Sequence, residues 1–227
     1  MNTKTSNFNI AYDSYYQSIG KAAKNGDAIL EIGGGAHPSI KNRSMFVYSA
    51  IDPDEEELAK APEDIAKRNG TVQSLLEEKE YDLIISKMVL EHVDNPDSFH
   101  KAVLGLLKPG GVAIHFFACR HSLPAIVNRL FPESLGDAIL GMLKNRDLDD
   151  SPKYEAYYRR TLGHTKSQID YFQDLGYEIE SYSSFVGHKY LSSIPLLGAI
   201  ERGYTNLLTR IEAKNLATVA LVVLKKK

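Results

Sequence analysis

"AILEIGGGAHPSI", residues 28 to 40, decides the reading of this chain. An apolar run of strand length leads into Glu31, and the glycines Gly33, Gly34 and Gly35 follow at once. An apolar run without in–out alternation is what a strand covered on both faces requires. A glycine-rich turn directly after such a strand lets a ligand approach the backbone, because no side chain blocks it. Alone, the cluster is weak evidence, because a flexible turn also accounts for it. The next apolar stretch, "MFVYSAID" (45 to 52), supplies the discriminating residue, Asp52. It stands about twenty residues beyond the glycines, where an acid at a strand end can bind both hydroxyls of an adenosine ribose. Loop and acid together predict an adenosine-containing cofactor lying across the strand ends.

The flanking sequence predicts how that strand is housed. "YDSYYQSIGKAAKNGD" (12 to 27) reads as a short helix closed by Gly26. "PDEEELAKAPEDIAKRNG" (53 to 70) reads as a polar helix, interrupted by Pro62 and stopped by Gly70, with a short strand near "TVQ" (71 to 73). "YDLIIS" (81 to 86) and "VAIHFFA" (112 to 118) are further buried strands. Between them "NPDSFHKAVLGLLKPGG" (95 to 111) is a helix with Pro96 near its start and Pro109-Gly110-Gly111 as its stop. Strands alternating with helices predict an α/β fold with a parallel sheet covered on both faces. Beyond Cys119 the rhythm changes, and residues 120 to 162 show no clear strand. "TKSQIDYFQDLGY" (165 to 177) is helical, "YEIESYSSFVG" (177 to 187) a strand, "IPLLGAIERGYTNLLTRIEAKN" (194 to 215) helical, and "LATVALVVLKK" (216 to 226) a final strand.

Bulk properties narrow the function classes. The 227 residues suit one domain, and 43% hydrophobic with 25% charged residues is ordinary for a globular protein. A formal net charge of −2 gives no global field to attract nucleic acid. One cysteine, Cys119, excludes an internal disulfide and suits a reducing compartment, so a cytoplasmic location is expected. The start, "MNTKTSNFNI", has no apolar core of a secretion signal. No apolar stretch reaches the roughly 20 residues of a membrane span. The seven histidines are scattered and no Cys/His spacing resembles a zinc site, so no metal is expected.

Two cofactors contain the required adenosine. A nicotinamide dinucleotide needs a third glycine where this chain has Pro38, and a helix N-terminus for its pyrophosphate. Only Ala36 to Met45 separate the glycines from the core of the next strand, which leaves little room for a full helix. S-adenosylmethionine has no phosphate and tolerates both losses, so the loop chemistry favours it.

In "LEIGGG", the second-strand acid and "YDLIISKMVLEHVDNPDSFHKAVLGLLKPGGVAIHFF", the chain resembles a class I S-adenosylmethionine-dependent methyltransferase of the type 11-like group. The resemblance covers roughly residues 28 to 118. It implies a Rossmann-like seven-stranded mixed sheet, last strand antiparallel, with helices on both faces. It also implies that Glu31, Gly33, Gly34 and Gly35 shape the pocket around the methionine portion of the cofactor. Asp52 would hold the ribose and Pro53 lie beside the adenine, with Thr71 and Val72 edging it. Lys87 would stand at the cofactor's amino end. Many relatives have Asp at the position of Thr71; here a hydroxyl must serve.

The acceptor side is less determined. "YEAYYRRTLGHT" (154 to 165) is similar to a segment of methyltransferases from surface-polysaccharide gene clusters. Tyr157 and Tyr158 could stack on a sugar ring, and Arg159 could hold phosphate or carboxylate; an amphipathic surface connector is the alternative. Arg120 leaves the fifth strand at its carboxyl end and is a further substrate candidate. His121, His164 and His92, in that order, are candidate proton acceptors for a hydroxyl. His92 also suits a packing role, and His115 reads as a core histidine. Residues 1 to 27 are expected as a helical lid, with Tyr12, Tyr15 and Tyr16 over the cofactor or packed on the sheet. Inserts 119 to 162 and 188 to 214 are expected as a helical cap over the site; contact of their helices with a membrane is the less favoured reading, since few basic residues accompany them. The stretch "SKMV" after the fourth strand lacks the Pro-Pro-aromatic motif of nucleobase methylation, which disfavours nucleic acid. The expected activity is methyl transfer to a sugar or glycolipid hydroxyl or another small molecule. A non-catalytic cofactor- or partner-binding module and a nicotinamide-dependent oxidoreductase are the alternatives.

Overall fold

The computed structural model describes residues 2–75, 81–122, 125–126, 154–187 and 195–227. Eight strands form one sheet in the order β1-β7-β8-β6-β5-β2-β3-β4. They are β1 (Asn2–Asn7), β2 (Ala28–Ile32), β3 (Val47–Asp52), β4 (Ala66–Asn69), β5 (Tyr81–Lys87), β6 (Leu107–Ala118), β7 (Tyr177–Val186) and β8 (Val219–Lys226). Every pairing is parallel except those of β8, which runs antiparallel to both β6 and β7. The last strand is therefore antiparallel, as expected.

Helices cover both faces. On one side α3 (Pro96–Leu106) and α4 (Lys166–Asp174) pack Phe99, Val103 and Phe172 against Leu30, Ile84 and Tyr182. On the other, α1 (Ala11–Ala22) and α2 (Glu55–Ala59) pack Tyr15, Ile19 and Leu58 against Ile29, Leu83 and Ile85. Both faces of β2 and β5 are thus buried, which is why their sequences run apolar without alternation. Asn95 caps α3 by accepting from the Ser98 amide at 3.0 Å, and Pro96 occupies its first turn, where no amide partner is lost.

Three expectations need correction. The sheet has eight strands where seven were expected, because residues expected in a helical lid supply β1. Asn2 to Asn7 pair in register with Ser181 to Val186 of β7. An edge strand held by backbone pairing needs no apolar pattern, and "NTKTSN" has none. At the other edge, residues expected to continue a helix to Gly70 form β4, pairing Ser49 with Ala66 and Asp52 with Asn69. Pro62 ends the helical run after α2, and backbone pairing with β3 overrides the helical propensity of a polar segment. The strand expected near "TVQ" is instead a 3₁₀ turn, Val72–Leu75. Between Gly35 and β3 there is no helix, as the short spacing predicts.

The parallel strands β2, β3, β5 and β6 end on one edge of the sheet. Residues 127–153 and 188–194 of the expected cap lie outside the described residues. The described part of the second insert is α5 (Pro195–Arg210). It lies against β1 and β7, with Thr205 at Gly187.

Candidate active site

A cavity of about 350 Å³ opens at the carboxyl ends of β2, β3 and β5. The strand ends supply Ile32, Gly33, Asp52, Pro53 and Lys87, the turn after β5 adds Met88, Val89 and His92, and Tyr154, Glu155 and Tyr157 close it from a distant segment. Strand carboxyl ends are where open α/β sheets bind ligands.

The glycines do two different jobs. Gly33 lines the cavity at φ +75°, and a Cβ there would come within 2.6 Å of a Val89 methyl. Gly34 and Gly35 face the protein. A Cβ on Gly34 would meet the Glu31 side chain at 2.9 Å, and one on Gly35 the Glu57 carbonyl of α2 at 3.0 Å. They let the loop lie close on β3 and α2, a packing role in place of the ligand contact expected of them. Glu31 lies beneath the same loop, 2% exposed. It accepts from the Ser39 amide at 3.0 and 3.1 Å, from the Ser39 hydroxyl at 2.5 Å and from the Tyr48 hydroxyl at 2.5 Å. Burial pushes its carboxyl pKa up, and those hydrogen bonds pull against it. Glu31 therefore shapes the pocket indirectly, by anchoring the loop that carries Gly33.

Asp52 has the character of an acceptor awaiting donors. One carboxylate oxygen accepts from the Asp54 amide at 2.9 Å. Desolvation, and then the negative neighbours Asp54 and Glu57, raise its pKa. Among the described residues no cation pairs with it. Lys87 supplies the cavity's cation, held by the Tyr16 hydroxyl at 3.4 Å with its ammonium 5.7 Å from the Tyr16 ring centroid. Tyr16 of α1 thus stands beside Lys87, whereas Tyr15 is buried and bonds Ser39 at 3.1 Å.

The distant segment is pinned across the mouth by named bonds. The Tyr154 hydroxyl donates to Asp54 at 2.6 Å, and the Tyr157 and Tyr158 amides donate to the Glu91 carbonyl at 2.8 and 2.9 Å. His92 Nδ1 bonds the Glu155 carbonyl at 2.8 Å. A carbonyl can only accept, so Nδ1 carries the proton and Nε2 is the acceptor of the neutral ring. Beneath them Glu91 is 2% exposed, and burial raises its pKa to about 8.

Other expected site residues fall elsewhere. Val72 is core and Thr71 is exposed, and neither lines the cavity. His164 is buried, bonded through Nδ1 to the Ser184 hydroxyl at 2.8 Å, with its pKa lowered by burial to about 4. His121 is exposed and outside the cavity wall, as is half-buried Arg120, whose amide donates to Thr161. Of the three candidate histidines, His92 alone lines the cavity. Tyr157 lines it too, but Tyr158 is buried at φ +51° and Arg159 is engaged with Asp94, at 2.9 Å to both its carbonyl and its carboxylate. Tyr154, Glu155, Met88 and Val89 are wall residues that the sequence did not single out. The aromatic cluster marked the segment, but which of its rings faces inward depends on the left-handed turns at Tyr158 and Arg160.

The comparisons with known proteins agree with this geometry. A family model described as a methyltransferase domain matches residues 9–179. The ubiquinone biosynthesis O-methyltransferase of Caulobacter vibrioides is 33% identical over 103 residues, which is 40% of this chain and 41% of that protein. That of Rickettsia felis is 32% identical over 111 residues, 44% of this chain and 43% of that protein. The match therefore spans about two fifths of these relatives' own length. Among solved structures, an S-adenosylmethionine-dependent methyltransferase of Archaeoglobus fulgidus has a TM-score of 0.57 at 12% identity, covering 95% of this chain and 94% of that one. Phosphoethanolamine N-methyltransferase 2 of Haemonchus contortus, solved in complex with S-adenosyl-L-methionine, has a TM-score of 0.56 at 14% identity, covering 94% of this chain and 52% of that one. Fold, glycine loop, strand-end acid and family match converge, and the chain belongs to the methyltransferase domain family.

Proposed function

We propose that this chain transfers the methyl group of S-adenosylmethionine to a ring-borne hydroxyl of a small molecule, with His92 as the proton acceptor. The observation that carries this reading is the bond from His92 Nδ1 to the Glu155 carbonyl at 2.8 Å: it leaves Nε2 as the ring's other nitrogen on a residue that lines the cavity together with Asp52. The residues fit the cofactor. Asp52 offers a carboxylate to the two ribose hydroxyls, Pro53 an apolar surface to the adenine, and Lys87 a cation to the methionine carboxylate. When bound, the cofactor supplies a methyl group on a positively charged sulfur, already activated for displacement.

The protein's task is then alignment and proton removal. Tyr157 presents a ring face on which a cyclic acceptor can stack, and the pinned segment from Tyr154 to Tyr157 shields the cavity. As the acceptor oxygen gains the methyl it loses its proton to Nε2 of His92, and the Glu155 carbonyl holds the resulting imidazolium in place. The sugar or glycolipid hydroxyl expected from "YYR" keeps its stacking ring in Tyr157 but loses the arginine clamp to Asp94. The names of the two O-methyltransferase relatives support oxygen as the acceptor atom.

The test is release of S-adenosylhomocysteine from S-adenosylmethionine with sugars, phenols and amines offered in turn. Turnover with hydroxyl acceptors, lowered roughly 10²- to 10⁴-fold in kcat by His92→Gln with cofactor affinity kept, supports the reading. Turnover with amines alone, or a His92→Gln variant at the wild-type rate, contradicts it. Cofactor binding without transfer to any acceptor points to a non-catalytic module.

A further inference from the structure

An amphipathic helix in a globular fold normally turns its apolar stripe inward. Helix α5 does the reverse. Ile200, Tyr204 and Leu207 on the helix, and Ile211 just past its end, continue one spacing and are 60%, 47%, 54% and 61% exposed. The face that packs on the protein holds Glu201, Thr205 and Leu208, all buried. Thr205 fixes this orientation, because it lies against Gly187 so closely that a Cβ there would come within 2.3 Å of its hydroxyl. The outward stripe is thus built into the packing.

Within α5 the exposed charges have one sign. Arg202 and Arg210 are the charged residues on the exposed side of α5, and the nearest exposed acid, Glu212, lies beyond the helix's last residue. The exposed charges of the helix itself are thus both cations, and the acid Glu212 stands just past its end. Apolar side chains flanked by guanidinium groups are complementary to an anionic lipid surface.

Topology relates this face to the cavity. β7 ends at Val186 and β8 begins at Val219, which pairs with Phe185 on one side and Ala118 on the other. Both ends therefore stand on the carboxyl edge of the sheet, and Thr205 of α5 lies at Gly187, just past the end of β7. The cavity opens on that same edge, at β2, β3 and β5.

We propose that the outer face of α5 docks the protein on anionic membrane surfaces, with the cavity's edge of the sheet turned toward the lipid. Among the described residues no helix is long and apolar enough to cross a membrane, so the contact is peripheral. One amphipathic face binds reversibly, with apolar insertion and electrostatic attraction acting together.

The test is flotation of the full chain with phosphatidylglycerol–phosphatidylcholine vesicles and with phosphatidylcholine vesicles alone, alongside thermal melts and sedimentation velocity. The wild type is expected to float with the anionic vesicles, more weakly at high salt. Leu207→Gln with Ile211→Gln should lower the partition constant at least tenfold, since two inserted side chains are lost. Arg202→Gln with Arg210→Gln should lower it by about 25-fold on anionic vesicles, near fivefold for each cation. All four positions are exposed, so the melts should match wild type. Failure of the wild type to float, or flotation untouched by the four substitutions, overturns the proposal. So does a concentration-dependent dimer abolished by Leu207→Gln with no vesicle binding, which would make a second copy the occupant. Cofactor affinity, read separately, should be wild type in every variant, so failure here is distinct from failure of the methyl-transfer reading.

Discussion

Replacing Asp52 with asparagine separates a ligand-binding acid from a structural one. The carboxylate is buried, and its burial and the acidic neighbours Asp54 and Glu57 make its charge unfavourable in the cofactor-free protein. The one bond it makes, from the Asp54 amide at 2.9 Å, can be kept by an asparagine carbonyl. Asp52→Asn should therefore leave the cofactor-free protein as stable as wild type, or slightly more so. The bound state loses charge-assisted hydrogen bonds to the ribose, each worth about 1.5 to 3 kcal/mol. Loss of one such bond raises the Kd for S-adenosylmethionine about 10- to 150-fold. Calorimetry gives the affinity, and thermal melts with and without cofactor give the linkage, because a ligand of the native state raises apparent stability only where it binds. An affinity within twofold of wild type in a folded variant would remove Asp52 from the site. A cofactor-free variant that melts well below wild type would make the residue structural and refute the electrostatic argument.

Tyr154→Phe removes the bond to Asp54 that pins the segment over the mouth; the acceptor KM should rise about two- to tenfold with kcat little changed, and steady-state kinetics showing the reverse pattern would assign Tyr154 to the chemical step. Glu91 is held protonated in the fold, its pKa raised by burial from 4.5 to about 8. The native state therefore binds the proton more tightly than the unfolded chain, and stability falls as pH rises from about 4.5 to about 8. Melting temperatures across that window should show the decline in wild type and a flatter profile in Glu91→Gln. Gly33→Ala places a methyl 2.6 Å from Val89 at a left-handed φ; it should cost about 1 to 2 kcal/mol in denaturant unfolding and weaken cofactor binding, whereas a neutral change would mean the loop relaxes freely.

Legibility in the sequence followed burial. β2, β5, β6 and β8 are buried along most of their length, and their apolar runs declared them. β1 and β4 are edges held by backbone bonds, and polar sequences such as "NTKTSN" and "AKRN" carry no trace of that pairing. In the site, Gly33, Asp52, Pro53 and Lys87 were readable because each is fixed by its place at a strand end. Gly34, Gly35 and Glu31 stood out in the sequence, and their packing and loop anchoring depend on Glu57, Ser39 and Tyr48 brought in from elsewhere. The acceptor wall was the least legible part. Whether Tyr157 or Tyr158 faces the cavity is set by a left-handed turn, and whether Arg159 is available is set by Asp94, a residue 65 positions away in the chain. The outward stripe of α5 was equally hidden, since periodicity marks a face but not its direction.

The most direct measurement is a crystal structure of the chain with S-adenosylhomocysteine. The account predicts the ribose hydroxyls on the Asp52 carboxylate, the adenine beside Pro53, the amino-acid end toward Lys87, and the sulfur directed to the space in front of His92 and Tyr157. A ligand bound elsewhere, or a ribose turned away from Asp52, would contradict it.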